Sequence, residues 1–163
     1  MLITFLRKQM ATEIERKFLV KNESFKTGNG TAFKQGYLSR TPERTVRVRI
    51  AGDNAYMTIK GKTSVASRAE FEYEIPVQDA NELIEMCEKP LIEKTRHKIN
   101  YEGMTWEVDV FHGDNQGLVV AEIELENAQQ LFAKPEWLGK EVTDDARYYN
   151  SNLVKNPYSR WKE

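Results

Sequence analysis

The sequence predicts a mainly β domain of α+β type, an antiparallel meander of eight strands that closes on itself. Three observations carry this. Apolar and polar residues alternate with a period of two in one stretch after another, the connections between stretches are short, and only one interior segment has a helical spacing. At 163 residues the chain is long enough for one domain with a proper core. Charged residues make up 30% and the formal net charge is −1, so nothing global points to nucleic acid, a membrane surface or disorder. The single Cys87 cannot form an internal disulfide, and no CxxC or His/Cys metal spacing occurs, which suits a reducing cytoplasm. No stretch is long enough to span a bilayer as a helix.

Residues 1–10 carry a short apolar run followed by Arg7 and Lys8, the wrong charge order for a secretory signal. They are expected to be a disordered tail, added by an upstream start codon or a vector, ahead of a single domain over 11–163. Thr12 to Val20 reads as the first strand, with Glu13, Glu15 and Lys17 on one face and Ile14, Arg16, Phe18 and Val20 on the other. Lys21 to Thr31 is a loop with room for one helical turn around Ser24. Ala32 to Arg40 places Phe33, Gln35, Tyr37 and Ser39 opposite Lys34, Gly36, Leu38 and Arg40. In Thr45 to Ala51, Arg47 and Arg49 project from one face about 6 to 7 Å apart. Gly52 to Asn54 signals a hairpin into Ala55 to Lys60.

Gly61 to Ser67 is small and polar, hence a mobile loop, and Arg68 to Ile75 sets Glu70, Glu72 and Glu74 opposite Phe71, Tyr73 and Ile75. Leu83, Ile84 and Cys87 give Asp79 to Glu88 a helical spacing, with Asp79 as N-cap. Ile92 to Asn100 groups Lys94, Arg96 and Lys98, Thr105 to Phe111 presents Glu107 and Asp109, and Leu118 to Glu126 presents Glu122, Glu124 and Glu126. A short helix is expected from Asn127 to Pro135, and a last one from Asp144 or Asp145 through Val154, with the aromatic C-terminal part packed back on the body.

The charged faces decide the chemistry. In a closed sheet, either the apolar set fills the interior and the charges are solvated, or the charges line a wet lumen and the apolar faces need cover outside. Acids concentrate on the strands of Glu13, Glu72 and Glu122, bases on those of Arg47, Lys60 and Lys94, whereas solvated faces mix signs to avoid like-charge repulsion. Carboxylates two residues apart suit a hard divalent cation, and rows of Arg and Lys suit phosphate oxygens. A polyphosphate carrying a metal satisfies both.

The ordered set of Glu13-x-Glu15-x-Lys17, Arg47-x-Arg49, Lys60, Glu72-x-Glu74, Lys94-x-Arg96, Glu107-x-Asp109 and Glu122-x-Glu124-x-Glu126 resembles the CYTH or triphosphate tunnel metalloenzyme family, over Thr12 to about Asn152. The resemblance implies an eight-stranded tunnel with inward charges, helices outside and a C-terminal helix. It also implies hydrolysis of the terminal phosphate of a small triphosphate with Mg²⁺ or Mn²⁺. Carried over by motif, Glu13, Glu15, Glu122 and Glu124 are the metal ligands, with Glu72 and Asp109 candidates for a second ion or its waters. Lys17, Arg47, Arg49, Lys60, Lys94 and Arg96 bind phosphates, and Lys17 with Tyr37 positions or activates the attacking water. Inorganic tripolyphosphate is the expected substrate of the short bacterial type. Thiamine triphosphatase, nucleoside triphosphatase, class IV-type adenylate cyclase and a non-catalytic polyphosphate-binding module are the alternatives. The expected partner is a small-molecule triphosphate, without nucleic acid or membrane, in a cytoplasmic monomer or homodimer. Glu70, Glu126 and Lys98 read as rim charges, His97 and His112 as solvated, Arg16 as an outward partner of a helix acid, and Arg147 as a surface or tunnel-mouth residue.

Overall fold

The computed structural model describes residues 14–62 and 69–161. The expected tail at 1–10, Glu13 at the head of the first strand, and the loop at 63–67 with Arg68 lie outside the described residues. The chain forms two compact units.

Residues 33–91 contribute one unit. Its sheet has the order β5-β4-β3-β2, built from β2 (Thr31–Thr41), β3 (Arg44–Ala51), β4 (Asn54–Gly61) and β5 (Glu70–Ile75), all antiparallel. Two-residue turns set the registers, so Thr41 faces Arg44 and Ala51 faces Asn54, the latter across Gly52 with φ 59°. A bulge between Tyr37 and Ser39 shifts the β2 register and turns the two ends of that strand differently. Val48, Ala55, Met57 and Ile75 lie on the apolar face, and helix α1 (Val77–Glu85) covers them with Ala80, Leu83, Ile84 and the adjoining Cys87. Asp79 is not the N-cap. The helix begins two residues earlier after Pro76, with no side-chain cap, and Asp79 lies in its first turn, where a negative charge suits the helix dipole.

Residues 14–32 and 92–161 form the other unit. Its antiparallel order is β6-β7-β8-β1-β9, from β1 (Ile14–Val20), β6 (Ile92–Tyr101), β7 (Met104–Phe111), β8 (Val119–Leu125) and β9 (Leu138–Glu141). The β6–β7 turn is Glu102-Gly103, both at positive φ (48° and 77°), the twist that a two-residue hairpin needs. Phe18, Trp106, Val108, Ala121 and Ile123 fill the apolar face. An aromatic lattice covers it in place of a helix. Trp106 packs edge-on against Phe18, Phe132 and Trp137 at centroid distances of 5.7 Å each, and Trp137 meets Phe25 at 6.0 Å. The C-terminal part also packs back on the body: the Tyr158 N–H donates to Asn115 Oδ1 at 2.8 Å, and Trp161 meets Tyr148 and Tyr158 at 5.0 Å each.

Four further expectations need correction. The described residues hold nine strands, not eight. The extra one, β9, is four residues long and lies against β1 so closely that a Cβ on Gly139 would stand 2.9 Å from the Leu19 carbonyl oxygen. No helix spans Asn127 to Pro135: the Asn127 side chain accepts the Gln129 N–H at 3.0 Å, which makes a local turn, and Phe132 docks on the aromatic core. The expected last helix is divided, a 3₁₀ turn at Ala146–Tyr148 capped by Asp145 and then α2 (Asn150–Lys155). The expected closed barrel is not formed among the described strands. Among the described residues no helix is long and apolar enough to cross a membrane.

Gly36 is the point where the segment after α1 rests on the sheet: a Cβ there would stand 2.6 Å from the Cys87 Cβ and 2.8 Å from Leu91 Cδ2. Gly36→Ala should therefore cost about 1 to 3 kcal/mol, a drop of roughly 2 to 12 °C in Tm by thermal unfolding. An unchanged Tm would show that Cys87 and Leu91 are not seated on this glycine.

Candidate active site

Both sheets carry their charge on the face opposite their apolar cover. In the first unit the ladder aligns Tyr37, Arg47, Thr58 and Glu72 in one row, and Gln35, Arg49, Tyr56 and Glu74 in the next. Thr45, Lys60 and Glu70 form a third. Arg47 Nη2 donates to Thr58 Oγ1 at 3.1 Å, and that hydroxyl donates to Glu72 Oε2 at 3.1 Å, so the acid and the base are linked through a threonine. The direct Arg47–Glu72 approach is 3.9 Å. Arg49 Nε donates to Gln35 Oε1 at 3.0 Å, and its guanidinium lies 5.2 Å from the centre of the Phe33 ring. Lys60 and Glu70 approach to 3.8 Å. Glu70, the first residue of β5, thus lies on this face at the strand's end. Tyr37 is buried beside Arg47.

In the second unit the rows are Lys98, Glu107, Glu122 and Lys17, then Glu124 opposite Glu15, and Arg96 opposite Asp109. Lys17 lies between two acids. Its Nζ is 2.5 Å from Glu122 Oε1 and 3.0 Å from Glu15 Oε1. Burial disfavours the ammonium, but Glu122 and then Glu15 outweigh it and raise the lysine above its ordinary range. Burial also pushes Glu15 up, and Glu122 adds to this against the pull of Lys17. For Glu122 itself, burial is outweighed by Lys17, and the carboxyl is lowered. Asp109 is 1% exposed and engages two cations: Lys94 Nζ at 2.6 Å on Oδ2, and Arg96 at 2.7 Å on Oδ1 and 2.8 Å on Oδ2. Burial alone would raise Asp109, but Lys94 and Arg96 hold it down to about 2. Arg96 also reaches Glu107, and Lys94 reaches Asn150 Oδ1 of α2 at 3.5 Å.

The remaining charged residues separate clearly. Arg16 lies on the apolar side and grips Glu141 of β9 with two bonds of 2.7 and 2.6 Å, holding that carboxyl down to about 2. Its acid partner is on a strand, not a helix. Arg147 is exposed and clamps Asp145 while stacking on Tyr148 and Trp161, at 5.7 and 5.1 Å. His97 is buried against Phe25 at 5.5 Å instead of solvated, whereas His112 is exposed and bonded to Thr95. Lys98 and Glu126 are exposed, as expected of rim positions. Sequence reasoning passed over Gln35 and Thr58, although their alternation puts both on the charged face. Asn150 gave no signal.

The donor set fits a hard divalent cation. Glu15, Glu122 and Glu124 offer carboxylate oxygens on two paired strands, and the burial and like charge that raise Glu15 are what a bound dication would offset. Among the described residues no three acidic, histidine or cysteine side chains already converge in a cage. Glu13 lies outside those residues.

Known proteins resemble this chain over most of its length. Residues 11–154 match the CYTH domain. The chain is 53% identical over 156 residues to an inorganic triphosphatase of Acetivibrio thermocellus, covering 94% of this chain and 100% of the relative. It is 38% identical to an inorganic triphosphatase of Nitrosomonas europaea, covering 88% and 97% of the two chains. A crystal structure of an inorganic triphosphatase superposes with a TM-score of 0.69 at 35% identity, over 90% of this chain and 97% of the other. The resemblance read from the charged motifs is borne out, and the chain belongs to the CYTH domain family.

Proposed function

We propose that this chain is a metal-dependent inorganic triphosphatase that cleaves tripolyphosphate into pyrophosphate and phosphate in the cytoplasm. The observation that carries the reading is the make-up of the two charged faces, acids flanking a lysine on β1 and β8 and guanidinium groups on β3, in a chain 53% identical to a protein named for that activity.

The proposed roles follow from the chemistry of each group. Glu15, Glu122 and Glu124, with Glu13, would hold Mg²⁺ or Mn²⁺, which when bound supplies polarisation of phosphoryl oxygens and a more acidic water. Arg47, Arg49, Lys60, Lys94 and Arg96 would offset the charge of the phosphates and of the leaving pyrophosphate. In the structure each of these cations already has a carboxylate or polar neighbour. Substrate binding is then an exchange of acceptors, phosphate oxygens for protein oxygens. Asp109 works first as the counter-ion that presents Lys94 and Arg96, and it could meet a second ion only by giving up these partners, whereas Glu72 has a single threonine donor and a longer Arg47 contact. Lys17 enters the reaction as an ammonium because two acids hold its proton. It therefore orients the water or gives a proton to the leaving oxygen, with Tyr37 as the proposed second group at the water.

Replacing Glu122 and Glu124 by Gln keeps their shape and one oxygen of each but removes the carboxylate charge that would hold the metal. Turnover should fall below a few per cent of the native value, with Tm within about 3 °C because like-charge repulsion is relieved as the Lys17 pair weakens. Phosphate release and thermal unfolding measure the two, and activity well above that level would place the metal elsewhere.

A substrate panel tests the reaction itself. Tripolyphosphate offers the cations more charge than ATP, and one further charge-assisted contact is worth about 1.5 to 3 kcal/mol, a tenfold preference or more. Tripolyphosphate should have the higher kcat/KM by at least that factor with Mg²⁺ or Mn²⁺, and ATP should yield no cyclic nucleotide. A preference for thiamine triphosphate or ATP, or a cyclic product, would replace the proposed substrate.

A further inference from the structure

We infer that Gln35 is a substrate-binding residue of this site, donating its side-chain amide to a phosphate oxygen while it holds Arg49 in place. The inference rests on the triphosphatase reading and adds a residue to that site.

Gln35 shares the charged face of β2 with Tyr37 and faces Arg49 across the ladder. It is a polar residue with 0% exposure. One end of its side chain is satisfied, since Oε1 accepts the Arg49 Nε–H at 3.0 Å. The other is not. Among the described residues, Gln35 Nε2 is buried without a hydrogen-bond acceptor. A buried donor left unpaired is costly, and a methionine of nearly the same volume would avoid that cost. One row away on the same face, Arg47 Nε is likewise buried without an acceptor. Two such donors, from a neutral amide and a guanidinium in adjacent rows, call for an acceptor-rich group between strands whose other donors are cations. Phosphate oxygens supply it.

The choice of amide is itself informative. A glutamate at this position would accept from Arg49 Nε equally well and pair with its charge, so support of Arg49 alone would favour the acid. An amide supports Arg49 without neutralising it and adds a donor for an anion. Its position is rigid, because the next residue, Gly36, is pinned beneath Cys87 and Leu91.

Steady-state hydrolysis of tripolyphosphate by the full chain, together with thermal unfolding, tests this with Gln35→Glu and Gln35→Met. Gln35→Glu keeps the acceptor for Arg49, so Tm should stay within about 3 °C of native or rise, while KM rises about a hundredfold or more because a donor becomes a repelling charge. Gln35→Met should raise KM about tenfold and change kcat less than threefold. A folded Gln35→Glu enzyme with KM within twofold of native overturns the inference. If that variant does not fold, Gln35→Met decides: a tenfold rise in KM supports the role, and a KM within twofold of native overturns it. Absence of tripolyphosphate hydrolysis by the native chain would instead overturn the triphosphatase reading, and this inference with it.

Discussion

The carboxylate of Asp109, almost entirely removed from water between Lys94 and Arg96, shows the constraint under which the whole charged face is built. A row of like charges on one side of a sheet repels itself, and an ion taken out of water without a partner costs several kcal/mol. Strand order answers both demands. β6, which carries the bases, lies beside β7, which carries Glu107 and Asp109, and β8 with Glu122 lies beside β1 with Lys17. In the other unit, the arginines of β3 are separated from the acids of β5 by a single strand, and Thr58 spans the gap. Each face is thereby balanced by its neighbours, through bonds that the proposed function would have a phosphate anion and a metal cation take over.

The opposite faces are what make this possible. Charge can be gathered on one side of a sheet only if the other side supplies the hydrophobic stabilisation, and the two units do so differently. One lays α1 on Val48 and Ala55, and the Cys87 and Leu91 that follow it on the bare backbone of Gly36. The other uses Trp106, Phe18, Phe25, Phe132 and Trp137, largely from irregular segments. Arg16 shows how strict the division is: as the one base of β1 on the apolar side, it is held between Glu141 and the rings of Phe18 and Phe132.

Period-two alternation made β1 to β8 legible in the sequence, and with them the sign of each charged face. It did not reveal β9, because Leu138–Glu141 is too short to show alternation and its pairing depends on Gly139 approaching Leu19. It misread Asn127 to Pro135 as helical, where an Asn side-chain turn and the burial of Phe132 decide the path. The candidate site was legible as a list of charges but not as pairs. That Asp109 belongs to Lys94 and Arg96 follows from the β6–β7 register, which the Glu102-Gly103 turn fixes and no local pattern announces. Gln35 was visible on the charged face, yet an amide among arginines carries no charge signal. Its importance appears only once its unpaired donor is seen.

The pairing of Lys94 with Asp109 is the claim on which the charged face rests, and a double-mutant cycle measures it directly. Urea unfolding of the full chain should show Lys94→Met and Asp109→Asn each costing about 3 to 5 kcal/mol, because either one leaves a buried charge with fewer partners. The double variant should cost less than the sum by at least about 2 kcal/mol. Single and double costs that add within about 0.5 kcal/mol would show that the two charges are not coupled, and would contradict the account of how this face is held together.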